Sequence, residues 1–250
     1  MRPCFIQARR PFAAAVVLAS LLIATPARAG DAVSAADLES FLGLSAGALD
    51  GLAAPAFDGS GLRTSFSAAA GDVLSFRFNF LTNEDPGAIA DLINDFAFVS
   101  LDGADPTLLA EVATTTFTTS MTSFAMESGI ATFSLTIAAA GVHTLGLGVV
   151  NVVDEMFPSA LLLDGFALNG VGLPGGGFEA GTLAGFEGIG AFAVVGDDIG
   201  SPAPEGRFQA FVTSGSTAVP EPASLISLLL GASGVVAVAV RRRANVASPA

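Results

Sequence analysis

The chain has 250 residues, 52% of them hydrophobic, with 23 acidic against 10 basic side chains and a formal net charge of -13. Between Gly30 and Val219 only Arg63, Arg77 and Arg207 oppose every acidic residue except Glu221, so this stretch carries roughly −19. Such a surface repels a phosphate backbone, which excludes nucleic acid as a partner, and the single cysteine, Cys4, leaves no disulfide framework.

At the front, Arg2, Arg9 and Arg10 precede an apolar stretch from Phe12 to Ala24, and Ala27-Arg28-Ala29 places small residues where a signal peptidase reads them. Residues 1–29 are therefore expected to be a cleaved signal peptide; the run is short for a membrane span and Pro26 follows it.

Next comes "SAADLESFLGL", in which Leu38, Phe41 and Leu42 recur at helical spacing. Ser34 is placed to cap a short helix and Gly43 to end it. The following "SAGALDGL" suits one more helical turn before "APAFDGSG" breaks it.

After that the period changes to two. In "VLSFRFNF", Leu74, Phe76, Phe78 and Phe80 alternate with Ser75, Arg77 and Asn79, as in a strand that buries one face. "GLRTSFSA", "DFAFVSL", "IATFSLTI", "VHTLGLGVV" and "ALLLDGFAL" give similar signals, separated by Gly, Pro, Asn and Asp. Short strands with polar turns predict a β-sandwich of the jelly-roll kind. The threonine-rich stretch Thr114 to Ser123 is unrepeated and reads as the wet face of an edge strand.

From Val171 to Gly177 the composition is that of a linker or long loop. Beyond it, Ala191 to Val195 and Arg207 to Val212 read as further strands. Forty residues make too small a core alone, so these strands are expected to join the preceding sheets.

The chain closes on Pro220-Glu221-Pro222, then Ala223 to Val240 without a charge, then Arg241, Arg242 and Arg243. As a helix, 18 residues rise about 27 Å at roughly 1.5 Å each, enough to cross a bilayer core. The arginines are expected to stop the span and stay cytoplasmic, which puts the acidic part on the far side.

This arrangement resembles the sorting tail of PEP-CTERM proteins. The resemblance implies a partner, an exosortase-type processing enzyme, and a Gram-negative source, many such bacteria making exopolysaccharide. The segments "LESFLGLSAGALDGL", "FLTNED", "NDFAFVSLDG" and "LLLDGFAL" look like an exported sandwich domain found ahead of such tails, one without an assigned biochemical role. "FEAGTLAGF" and "PEGRFQAFVTSG" look like the opening of the same domain, yet here they come last. A circular permutation, a partial duplication or a misplaced gene boundary would give this order alike.

Taken together, these features predict a mainly β, jelly-roll-like β-sandwich with a short N-terminal helix, between a signal peptide (1–29) and a C-terminal transmembrane helix (223–240). The sandwich takes residues 30–170, the Gly-rich link and additional strands 171–219, and the sorting signal 220–243.

Two acidic groups are candidate cation sites. The resemblance to jelly-roll domains similar to carbohydrate-binding modules implies a structural calcium between Glu179 and Asp164. Asp164 shares strand parity with Leu162, Phe166 and Leu168, so an inward carboxylate there needs a cation or donors. The second group is Asn83, Glu84 and Asp85 with Asn94 and Asp95, approached by Asp154 and Glu155. Solvated acidic loops that only oppose aggregation account for either group equally well. Calcium takes six to eight oxygen ligands, so carbonyls and further carboxylates would be needed beside Glu179 and Asp164.

No catalytic residue is expected. His143, the only histidine, lies inside an alternating strand, and no phosphate loop, zinc spacing or nucleophile elbow occurs. The chain therefore reads as a non-enzymatic, exported protein of the cell surface or extracellular matrix, associated with exopolysaccharide and held first in the inner membrane by its C-terminal helix. The alternative is a calcium-dependent carbohydrate-binding module, and a glycan-acting enzyme ranks below it. The absence of Trp and Tyr, the usual sugar-stacking residues, counts against the module.

Overall fold

The structure, a computed structural model, describes residues 31–53, 55–86, 93–153 and 155–215. The expected leader, the span at 223–240 and the sorting residues Pro220, Glu221, Pro222, Arg241, Arg242 and Arg243 lie outside the described residues, as does Asp154. No helix among the described residues is long and apolar enough to cross a membrane.

The elements in chain order are β1 (Val33–Ser34), α1 (Ala35–Leu42), β2 (Ala56–Ala68), β3 (Val73–Thr82), β4 (Phe96–Leu101), β5 (Thr107–Glu111) and β6 (Thr118–Thr119). There follow β7 (Met126–Glu127), β8 (Ala131–Thr136), β9 (Gly141–Val152), β10 (Ser159–Leu168), β11 (Val171–Gly172), β12 (Glu187–Ile189), β13 (Ala191–Gly196) and β14 (Phe208–Thr213). They form two antiparallel sheets. The first runs β1-β2-β9-β4-β5, with β12 also on β2; the second runs β13-β14-β10-β3-β7-β6, with β11 on β10 and β8 on β3.

The central core lies between the sheets, and alternation builds it. Leu74, Phe76, Phe78 and Phe80 of β3 point inward beside Leu161 and Leu163 of β10, against Leu62 of β2 and Leu145, Leu147 and Val149 of β9. Late in chain order, β13 and β14 extend the second sheet beside β10, so Val194, Ala210 and Val212 enter the same core.

Between them, the glycine-rich stretch packs closely. A Cβ on Gly175 (φ +77) would collide with the backbone carbonyl of Ala184, which only glycine avoids. This close turn delivers Phe178, Leu183 and Phe186 into the core, where Phe178 and Phe186 lie 6.1 and 5.0 Å, centroid to centroid, from Phe166.

The helix forms where its caps dictate. Ser34 Oγ accepts the Asp37 N–H, and Gly43 turns left-handed at φ 71 to hand the last carbonyls their donors. The next residues make hydrogen-bonded turns, held because the buried Glu39 carboxylate accepts the N–H groups of Gly47 and Leu49.

Helix α1 covers the outer face of the first sheet through Leu38 and Leu42, which pack with Phe96, Phe98 and Val150. It can lie that close because the sheet beneath is paved with glycine. A Cβ on Gly61 would stand 2.8 Å from Leu38 Cδ1, and one on Gly146 would stand 3.2 Å from Leu42 Cδ2. The "GSGL" of β2 and the "LGLG" of β9 thus carry leucine toward the core, and Gly59, Gly61 and Gly146 lie beneath the helix. On the outer face of the second sheet, Leu162, Ala193, Val195 and Phe211 form a third cluster with Phe124 and Ile199. The threonine-rich stretch supplies only the short, exposed β6 at the sheet edge.

Candidate functional site

Asp164 breaks the expected parity. The β10–β3 register shifts between Asp164 and Ala167, with Gly165 at φ 64, so a bulge turns Phe166 into the central core while Leu162 faces the outer cluster. Asp164 is 0% exposed, and its carboxylate accepts the backbone N–H groups of Gly165 (2.7 Å) and Glu205 (2.8 Å).

Glu179 comes to the same place, taking the N–H groups of Arg207 (3.0 Å) and Phe208 (3.2 Å). Arg77, opposite Asp164 in the register, donates to the carbonyl of Pro204 and lies 3.6 Å from Glu205. The two expected carboxylates are thus neighbours, and what they hold is the backbone of residues 205–208. Burial pushes the Asp164 carboxyl up to about 6, against the pull of its two backbone donors, and Glu205 and Glu179 add repulsion.

A calcium held here would need further oxygen ligands beyond Asp164 and Glu179. All four carboxylate oxygens already take backbone N–H groups, and no three His, Cys, Asp or Glu side chains among the described residues are grouped to hold a metal.

The second expected group meets at the pole where β2 begins and β3, β9 and β14 end. Asp95, 1% exposed, accepts the Val152 N–H at 3.0 Å and the Ser159 hydroxyl at 2.7 Å. Ser159 Oγ is also 2.9 Å from Thr82 Oγ1, which accepts the Glu84 N–H. Asp95 and Glu84 are therefore joined through two hydroxyls. Asn83 and Asn94 are committed elsewhere, accepting the N–H groups of Ala125 and Ala113.

Beside them lies a network that sequence reasoning missed. Asn151 donates to Asp58 Oδ1 and to the Ser214 carbonyl, both at 2.7 Å, and Ser214 Oγ accepts the Ser159 N–H. Burial raises the Asp58 carboxyl to about 6; the Asn151 bond opposes the shift and Glu155 reinforces it. Asp31, Ala32, Asp58, Glu155 and Gly215 line a cavity of about 300 Å³ here, so both ends of the described chain reach the same pole.

His143 lies inside strand β9, as expected, and its ring is held on both sides. Its Nδ1 is 2.7 Å from Asp102 Oδ2 and its Nε2 is 3.0 Å from the Ala139 carbonyl. Two acceptors, one on each ring nitrogen, suit the doubly protonated imidazolium. The Asp102 hydrogen bond raises the His143 pKa against the effect of burial, and the Ala139 contact adds to the rise. With Nε2 facing a carbonyl, the ring has no free nitrogen for proton abstraction. The Asp102-Gly103 pair is of turn composition, but nothing in the sequence places that turn against His143, 41 residues away.

In the sequence, the two-sheet domain is followed by an apolar run and a basic cluster. A family model described as the PEP-CTERM protein-sorting motif matches residues 218–243, which contain Pro220-Glu221-Pro222 and Arg241 to Arg243. The chain carries that motif and is accordingly an extracytoplasmic protein of exosortase-related sorting. No curated protein and no solved structure matches it.

Proposed function

We propose that the chain is delivered across the cytoplasmic membrane, parked there by a helix at 223–240, and processed by an exosortase-type enzyme near Pro220-Glu221-Pro222. The observation that carries this reading is the sorting motif at residues 218–243, beginning three residues past Gly215, the last described residue. The mature domain serves as a non-catalytic structural or interaction component of the cell surface, associated with exopolysaccharide; the support for that association is the resemblance of the tail. Intact-mass analysis of membrane, surface and medium fractions, with and without the processing enzyme, tests it. A product lacking Arg241 to Arg243 is expected only when the enzyme is present, and full-length protein in every fraction overturns the proposal.

A further inference from the structure

The pole where the chain ends meet is also apolar at its tip. Phe57, Val153, Met156 and Phe157 are exposed large hydrophobics at 48, 46, 74 and 47%. They share one place: Val153 donates to the Pro55 carbonyl beside Phe57, and Met156 and Phe157 follow in the loop from β9 to β10. That loop returns through Pro158, against which Gly215 sits so closely that an added Cβ would come within 2.5 Å of the proline Cβ. Such a cluster at one end of a domain marks an interaction surface.

The chain itself identifies the partner. The backbone is held as far as Gly215, because Thr213 and Ser214 are fully buried and hydrogen-bonded to Ser159. The uncharged run begins at Ala223, eight residues on, and at about 3.6 Å per residue those eight span at most about 29 Å. With the tail anchored, a tether of that length keeps the Gly215 pole within about 29 Å of the bilayer. We propose that the tip formed by Phe57, Val153, Met156 and Phe157 docks into the lipid headgroup interface, seating the sandwich upright on the membrane while the tail is anchored. Apolar side chains at such depth are stabilised by contact with the acyl boundary, whereas the acidic neighbours Asp31, Asp58 and Glu155 favour zwitterionic over anionic headgroups.

This inference rests on the tail lying in the bilayer, and the experiment separates the two. The full chain with Cys4→Ser and Met156→Cys is spin-labelled and reconstituted into phosphatidylcholine vesicles. A second variant, Cys4→Ser with Val142→Cys, places the label at the opposite end of β9, about 36 Å away at roughly 3.3 Å per residue. Flotation that is lost on deletion of residues 220–243 reports the anchor, since the apolar run at 12–24 is present in both chains; relaxation by lipid-soluble oxygen against a water-soluble nickel complex reports the label's surroundings. The expected result is flotation of both variants, with the label at 156 several-fold more accessible to oxygen than to nickel and the label at 142 the reverse. Flotation with both labels equally water-accessible overturns the docking and leaves the anchor standing. Failure to float overturns both. Spin–spin broadening between labels at 156 would show that a second copy covers the tip, and would overturn lipid docking as well.

Discussion

Replacing Asp164 by Asn should flatten the acid side of the stability profile. In the fold this carboxyl titrates at about 6, against 3.8 for the ordinary group, because it is buried beneath the 201–207 loop with two other acids nearby. A carboxyl raised on folding binds its proton more tightly in the native state, so stability falls as pH rises from 3.8 toward 6 and is lowest above it. The full cost at neutral pH is about 3 kcal/mol for a shift of roughly two units, and the part recovered between pH 7.5 and pH 5.0 is about 1.4 kcal/mol. Asparagine never ionises and keeps one carbonyl oxygen, enough for either the Gly165 or the Glu205 donor.

The assay is urea denaturation of parent and Asp164→Asn at both pH values. Other titrating groups, Asp58 and His143 among them, are common to both proteins, so the difference of the two slopes isolates Asp164. An unchanged slope in the variant refutes the reasoning. So does a calcium-dependent rise in stability at pH 7.5 that the variant lacks, since a bound cation would hold the carboxylate charged and reverse the sign of its contribution.

Gly61→Ala should loosen α1. The new Cβ would lie 2.8 Å from both Leu147 O and Leu38 Cδ1, and relief of such overpacking costs about 1–3 kcal/mol. It is read as a lower melting temperature and faster amide exchange in residues 35–42, while Gly172→Ala, with nothing within 4 Å, stays close to the parent. Asp102→Asn should lower the midpoint of the His143 ring, which the Asp102 hydrogen bond holds above 6.5. The imidazolium's contribution is fully present below 6.5 and is lost as pH rises through its raised folded value. A proton-NMR titration with the same midpoint in both proteins refutes that assignment.

The parts of the fold that could be read ahead are those in which one side of an element is dry and the other wet. "VLSFRFNF" alternates because β3 buries Leu74 through Phe80 between the sheets, and the same contrast exposed the inward rows of β9 and β10. The helix was equally legible, since Ser34 and Gly43 act within a few residues of the backbone they cap. Legibility failed where the partner lay far along the chain. Glycine at 59, 61, 146 and 148 weakens β2 and β9 as isolated strands; the first three make sense only once Leu38 and Leu42 lie across them, and Gly148 only once the Phe98 ring does. The parity of Asp164 misled for a local reason that was available: glycine directly after a polar strand residue signals a bulge, and here Gly165 reverses every side chain beyond it.

The acidic groups show the same division more sharply. Residue type marked Asp164 as a carboxylate in need of donors or a cation, but the N–H groups that it and Glu179 accept come from residues 205–208, which only the pairing of β10 with β14 brings alongside. Strand order also brings Asp31 and Gly215 to one pole, although 184 residues separate them. The three described apolar clusters draw their buried members from Leu38 to Val212, inside both of those positions. A protein trimmed at Ala29 and again near Pro220 would therefore lose no buried member of these clusters. Its Gly215 pole would keep the Asn151–Ser214–Ser159 network that pins the last strand, so removal of the tail leaves the hydrogen bonds of the fold in place.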